Sequence, residues 1–370
     1  MKNSSILRIE VTKDWVHATI HFSSAKGVLQ ERNLEIEAID QNEQKAVFEA
    51  FIPEKNGSFL LTHQTTRIAL GSGRFVGGVN GGEITFSTRL LYPCSKFLFK
   101  IKHLDGSFEY SNWFEVFQYS ANQLEAISNE TYALIPCFNA EKYIRNIALE
   151  TVRYVKKLII IDDGSTDQSL SLIKEVQKLF PEKVQIIQFE KNQGKGHGLL
   201  TGYKAAIKDG AFSALITLDA DAQHLPSDIP YLAESIIKGS DLSIGTRLFR
   251  LMPFRSKFSN GLISFFLRRF YGKAPKDTQS GMRGFSKRFV EEIVQEIPIG
   301  GCYEFEFKVL LLALDQKKKI ASIPIATVYI EKNRSSHFSP LKDSIKIIKV
   351  FVTHLLERSI KKIVYKKKSA

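Results

Sequence analysis

The sequence predicts an α/β domain built on a mostly parallel sheet, preceded by an all-β, sandwich-like domain. Three observations predict this. The first third of the chain repeats an apolar/polar alternation of period two, the signature of half-buried strands. From about residue 124, short continuous apolar runs alternate with helical segments, the pattern of βαβ units. Polar loops rich in acidic residues then follow one predicted strand after another, at the strand ends where ligands sit in open α/β sheets. The boundaries read as 1–123 for the β domain, 124–340 for the α/β domain and 341–370 for a basic amphipathic helix and tail.

In the first domain Leu7, Ile9 and Val11 alternate with polar residues, as do Val16, Ala18, Ile20 and Phe22. Leu34, Ile36 and Ala38 repeat the pattern, and so do Phe97, Phe99 and Ile101. Gly71-Ser72-Gly73 and Gly77–Gly82 read as turn punctuation, because no strand-then-helix frame surrounds them. Trp15, Tyr110, Trp113 and Phe117 suit a sugar-stacking face or ordinary sheet packing. Tyr119–Gln123 reads as a linker.

In the second domain Tyr132–Ile135, Leu158–Ile161, Val184–Phe189, Ala214–Leu218 and Leu242–Gly245 are predicted strands. Helices are predicted over 141–153, 168–179 and 198–208. The loops Pro136–Asn139, Asp162–Asp167 and Asp219–His224 all follow strand ends and so can share one cleft.

Composition restricts the function. The chain has 370 residues, is 44% hydrophobic and 25% charged, and carries a net charge of +13. Such a chain buries a sizeable core and favours phosphorylated partners or an anionic membrane surface. Its basic character comes without a base-reading motif, so no nucleic-acid partner is expected. Cys94, Cys137 and Cys302 are too scattered for a zinc pattern or a disulfide framework, which points to the cytoplasm. The sequence begins without an apolar signal core, and no stretch is long and apolar enough to span a bilayer.

The chemistry centres on Leu218-Asp219-Ala220-Asp221-Ala222-Gln223-His224. With an extended backbone Asp219, Asp221 and Gln223 project to one side, and hard oxygen ligands suit Mg2+ or Mn2+. The competing reading is a polar loop. Lys195 lies between Gly194 and Gly196, which have no Cβ to keep a phosphate away; the competing reading is a solvated turn. His197 suits helix-entry packing, and Asp167 suits the cap of the following helix.

Five segments in order carry a resemblance: Ile135–Asn139, Ile161–Asp167, Asn192–Gly196, Asp219–His224 and Asp277–Arg283. Together they resemble the family-2 inverting glycosyltransferases of GT-A fold, closest to the dolichyl/polyprenyl-phosphate mannosyl- and glucosyltransferases. The resemblance covers roughly residues 130 to 345. It implies a nucleoside-diphosphate sugar donor, GDP- or UDP-linked, held by Pro136, Asn139, Asp162, Asp163, Lys195, Asp219, Arg247 and Arg334. Asp163 would accept from the base ring, while Asp162 does the same or holds the loop. Asp219, Asp221 and Gln223 match the ligands of the divalent ion. Arg255 and Ser259, one helical turn apart, and Arg283 would hold an acceptor phosphate.

Among the remaining carboxylates Asp277 is the first candidate for the catalytic or acceptor-orienting role, and Glu304, beside Glu306, is the second. A sugar hydroxyl requires a general base, whereas a lipid phosphate, with a second pKa of about 6, requires positioning. Two departures bear on specificity. Ala140 follows Asn139 where the family often has Glu, and Ser336–Pro340 replaces the Gly-x-Ser-Lys usual in the dolichyl branch.

Phe265–Phe270 is apolar and basic together, suiting a membrane interface or an amphipathic helix on the sheet. Leu341, Ile345, Ile348, Val352 and Leu355 form a helical stripe before a lysine-rich end, which reads as a peripheral anchor or a docked helix. The expectation is a hexosyltransferase on the cytoplasmic membrane face with polyprenyl phosphate as acceptor. The alternatives are transfer to a glycan hydroxyl and a non-catalytic carbohydrate-binding protein.

Overall fold

A computed structural model describes the backbone of ten strands between residues 6 and 115, and residues 119–247, 254–297, 304–325 and 349–356. The ten strands are β1 (Ile6–Val11), β2 (His17–Ser23), β3 (Asn33–Asp40), β4 (Lys45–Phe51), β5 (Gly57–His63), β6 (Ala69–Gly78), β7 (Gly81–Ser87), β8 (Cys94–Lys102), β9 (Phe108–Tyr110) and β10 (Phe114–Glu115). They join as one antiparallel sheet in the order β1-β2-β7-β6-β5-β4-β3-β8-β10, with β9 on β8. The predicted alternation is realised where Ile36 pairs with Phe48 and Phe99, and Ile36 is fully buried. The sandwich packing and the aromatic face of Trp15, Tyr110, Trp113 and Phe117 rest on side chains outside the described residues.

The expected linker instead begins a helix, α1 (Ala121–Asn129). Ser120 accepts from the Gln123 amide, and the Gln123 side chain accepts from the Ser120 amide. This reciprocal capping box satisfies two donors that a helix start otherwise leaves unpaired.

The second sheet contains β11 (Thr131–Cys137), β12 (Lys157–Asp162), β13 (Val184–Gln188), β14 (Ala214–Thr217), β15 (Leu242–Thr246), β16 (Arg283–Ser286) and β17 (Ile320–Pro324). Their order is β13-β12-β11-β14-β16-β15-β17. β11 through β14 are mutually parallel, and β15 is parallel to β17. The chain steps outward from β11 to β13, then returns to place β14 on the other side of β11. That reversal makes the switch point at which a crevice opens beyond the strand ends.

β16 is antiparallel to both neighbours, with Thr217 opposite Arg283 and Ile244 opposite Arg283. The start of β16 therefore lies beside the ends of β14 and β15. This register brings the 277–282 loop to the same edge as Asp219 and Arg247.

Helices α2 (Ile144–Thr151), α3 (Ser169–Leu179) and α5 (Ile229–Ile237) cover one face of this sheet. α4 (Lys195–Asp209), α6 (Phe254–Tyr271), α7 (Lys287–Glu296) and α8 (Glu304–Asp315) cover the other. Apolar residues on both faces of β11 and β12 produce the continuous runs seen in the sequence. α4 begins at Lys195, three residues earlier than predicted.

A last helix, α9 (349–356), docks through Phe351, whose ring meets those of Phe266, Phe270 and Phe307. Asp315 at the end of α8 holds both neighbours, accepting from Tyr271 at 3.0 Å and pairing with His354 at 2.7 Å. Of the predicted stripe Leu355 packs on this core, and Leu341, Ile345 and Ile348 lie outside the described residues. Phe351 fills the notch, and Val352 is left 49% exposed.

α4 packs close to β11 because Gly202 has no side chain. A Cβ there would overlap both methyl groups of Leu134. Gly202→Ala is expected to destabilise the domain by about 1–3 kcal/mol, measured by chemical denaturation.

Candidate active site

The switch-point loops are tied to one another before any ligand is considered. Asp163 accepts from the backbone amides of Gln193, at 2.7 Å, and Gly194, at 2.9 Å. It therefore clamps the segment that presents Lys195. Gly194 has φ +92°, a left-handed backbone that favours glycine. Asn139 also has a positive φ, 48°, and its side-chain oxygen accepts from the Thr166 amide at 2.8 Å. Pro136 lies within β11, in van der Waals range of a Cβ built at Gly198. Asp167 accepts from the Ser169 and Glu141 amides, one residue ahead of the N-cap of α3, which is Gln168 and not Asp167. His197 packs edge-on against Phe189, as expected. Asp162 is fully buried, and neither carboxylate oxygen has a hydrogen-bond partner.

The acidic motif is a turn and not an extended stretch. β14 ends at Thr217, Ala222 adopts φ 61°, and Asp221 accepts from the Gln223 amide at 3.0 Å. The premise of three side chains aligned by strand alternation is thus replaced by a loop in which Asp221 braces Gln223. Asp219 and Asp221 remain electrostatic neighbours. Burial first, and then the charge of Asp219, pushes the Asp221 carboxyl up to about 6.

Asp219 receives Lys195 Nζ at 2.6 Å. Burial works against its charge, but the ammonium of Lys195, and then Arg247, hold its carboxyl below the usual range. His224 is itself neutral. Burial pulls its imidazole down to about 4, and its Nδ1 accepts from the Asp219 amide at 3.3 Å.

The oxygens around Asp219 suit a divalent ion in number and type. Among the described residues no three His, Cys, Asp or Glu side chains converge as ligands on one point. Two carboxylates and an amide remain, with other positions left to water and substrate oxygens, as Mg2+ sites on phosphates commonly are. Gly281 has no Cβ, and one built there would overlap the Asp219 carboxylate. The Gln223 amide nitrogen is buried and donates to no partner among the described residues, so no hydrogen bond from it fixes the amide against a half-turn. These residues fit such an ion.

Arg247 donates to Asp277 through Nε, at 2.7 Å, and Nη2, at 3.1 Å. Asp277 is fully buried and also accepts from the Gln279 amide. Burial opposes its charge, yet Arg247 keeps its carboxyl below the usual range. Asp277 therefore orients Arg247 and is poorly suited to take a proton. Its loop is tied to α6 by Asn260, which accepts from the Thr278 amide at 2.8 Å and donates to the Lys276 carbonyl at 3.2 Å.

Arg283 is a second correction. It is buried, and its guanidinium donates to the carbonyls of Ser280, Thr278 and Glu306. Buried, and with three of its five N–H donors engaged by backbone carbonyls, it serves as an internal brace. Glu304 lies in the first turn of α8, whereas it is Glu306 that reaches Lys195, at 3.2 Å. Arg255 and Ser259 fall on α6, but their side chains lie outside the described residues, as does Arg334 altogether.

Comparison with known proteins agrees with this geometry. Residues 132–294 match the sequence profile of the family described as Glycosyl transferase family 2. The chain is 34% identical over 219 residues to a UDP-N-acetylglucosamine–dolichyl-phosphate N-acetylglucosaminyltransferase of Methanococcus voltae, covering 54% of this chain and 86% of the relative. The chain belongs to glycosyl transferase family 2. A polyprenol monophosphomannose synthase of Mycolicibacterium smegmatis is another relative of this family-2 enzyme, 23% identical over 54% of this chain and 77% of its own. The fold is similar to that of glucosyl-3-phosphoglycerate synthase from Mycobacterium tuberculosis, solved with Mn2+, UDP-glucose and phosphoglyceric acid. That structure is 17% identical, with a TM-score of 0.50 over 65% of this chain and 85% of the other. The architecture is accordingly GT-A, and the enzyme is related to the polyprenyl-phosphate sugar transferases.

The raised Asp221 carboxyl gives a testable sign. Its folded value, about 6, exceeds the ordinary carboxylate value, so the folded state binds the extra proton. Stability is then lost as pH rises through that window. Asp221→Asn is expected to stabilise the metal-free protein by about 1–3 kcal/mol at pH 8, a gain that fades below about pH 5. Denaturation curves at the two pH values check this.

Proposed function

We propose that the enzyme moves a hexose from a nucleoside-diphosphate sugar to a polyprenyl phosphate on the cytoplasmic face of a membrane, with Mg2+ or Mn2+. The observation that carries the acceptor is the engagement of Asp277. A glycan hydroxyl needs a general base, and Asp277 is buried on Arg247 with its carboxyl held low. A phosphate arrives already charged and needs a fixed cation instead. Arg247, braced by Asp277, is that cation. The relatives act in the same direction: one is described as using UDP-N-acetylglucosamine and dolichyl phosphate, another as making polyprenol monophosphomannose.

In this reading Lys195 and the Asp219 turn face the donor diphosphate, and Arg247 faces the acceptor. An acceptor phosphate oxygen attacks the anomeric carbon from the side opposite the diphosphate. The carbon–oxygen bond to the nucleoside diphosphate breaks, and the configuration inverts. Asp219 and Asp221, with Gln223, would hold the dication, which supplies charge neutralisation for the departing diphosphate. Asp163 and Asn139 shape the donor loops through the backbone bonds described above, and Asp162 is the buried carboxylate beneath them.

A lipid acceptor needs a surface to approach, and α6 links the Asp277 loop to one. Phe265 is 63% exposed and Phe270 51%, and Leu356 on the adjacent α9 is 60% exposed. Exposed Arg268, Arg269 and Lys349 accompany them. Aromatic and basic side chains together suit an anionic bilayer interface. No helix among the described residues is long and apolar enough to cross a membrane.

The test is a panel of UDP- and GDP-sugars with undecaprenyl phosphate in anionic vesicles, scoring released nucleoside diphosphate and lipid-linked sugar. Lipid-linked product that vanishes in Asp221→Ala is expected, since loss of such an electrostatic element typically costs about 10²–10³ in rate. Nucleoside diphosphate release that depends on a soluble glycan and ignores the vesicles would move the acceptor to a hydroxyl.

A further inference from the structure

Three side chains of the site form a chain of charge that the transfer reaction, as proposed, does not use in its resting arrangement. Lys195 Nζ sits 2.6 Å from Asp219 Oδ1 and within 3.2 and 3.3 Å of the two Glu306 oxygens. The three side chains are only 19, 27 and 13% exposed, so water screens the contacts little. The backbone of each acidic partner is held in place. Asp219 lies against Gly281 and shares its amide with His224, while the Glu306 carbonyl accepts from the buried Arg283 at 2.6 Å. Between them stands a flexible four-carbon stem carrying a point charge, so Lys195 is the member able to move.

Asp219, which receives this ammonium, is also one of the residues fitted to a dication. Two cations a few ångströms apart in a poorly hydrated pocket repel strongly, so each weakens the other's hold on Asp219. We infer that Lys195 is the resting counter-ion of Asp219, and that Glu306 is a positioning residue that retains the ammonium when a dication takes its place. The displaced ammonium, held by Glu306, remains beside the Asp219 turn, where the diphosphate of an incoming nucleotide compensates it. The dication consequently enters with a nucleoside diphosphate and only poorly alone. This rests on the metal reading given above and goes beyond it, because it assigns Glu306 a role and an order to binding.

The test is Mn2+ binding to the purified full chain, followed by the electron paramagnetic resonance signal of free Mn2+, with and without UDP or GDP. The wild type is expected to bind Mn2+ at least about tenfold more tightly with the nucleotide than without, and Lys195→Met to recover about tenfold in its absence. Glu306→Gln is expected to weaken nucleotide-free binding by about fivefold in the wild type but by less than about twofold in the Lys195→Met background, because its effect passes through the lysine. Equal losses in both backgrounds would make Glu306 a direct electrostatic contributor and overturn its positioning role. Unchanged nucleotide-free binding in a folded Lys195→Met, judged by its melting curve, would overturn the counter-ion assignment. A wild type that binds Mn2+ under neither condition sinks the metal reading itself, and this inference with it.

Discussion

Arg247 lies along the carboxylate of Asp277 in a setting nearly without water, and the shape of the site depends on that pair. A lone buried carboxylate is costly; one that receives two guanidinium N–H groups becomes a stable footing for positive charge. The footing is anchored in turn by the Gln279 amide and by the Asn260 bonds to α6. Beneath it Arg283 gathers the carbonyls of Thr278, Ser280 and Glu306, tying the loop to α8. Two arginines near one strand end thus do opposite work. One holds the backbone together from inside, and the other offers its charge at the edge.

The sheet explains why these residues meet. The outward walk from β11 to β13 and the return to β14 create a crevice flanked by Asp163 and Asp219. Inserting β16 antiparallel between β14 and β15 turns a loop toward that crevice which a parallel strand would send to the far end. Acidic groups dominate the result, and Lys195 and Arg247 balance them. In the proposed reading the donor diphosphate brings a counter-cation to the acidic turn, while the acceptor phosphate meets Arg247.

Much of this was legible in the chain, for identifiable reasons. Buried parallel strands leave continuous apolar runs, so β11, β12 and β14 stood out, and the acidic loops after them followed from sheet geometry. Sequence does not reveal which side of a buried boundary a charged residue takes. Arg283 and Arg247 look alike in the chain, and only the hydrogen bonds of Arg283 to three carbonyls separate them. That Glu306 and not its neighbour Glu304 reaches Lys195 is a matter of helix phase, which the sequence likewise leaves open. The extended reading of 219–223 overlooked a left-handed alanine, a conformation sequence rarely announces. α1 was available, since Ser120 and Gln123 carry the spacing of a capping box.

The antiparallel position of β16 has a consequence for synthesis. A growing polypeptide presents the strands that lead into Asp163 and Asp219 well before it supplies Asp277 to seat Arg247, and Glu306 follows later still. The central strands can thus assemble while the emerging molecule still lacks both of those anions. Competence is in this sense the last property the ribosome confers, since a chain interrupted before β16 lacks the carboxylate that seats Arg247.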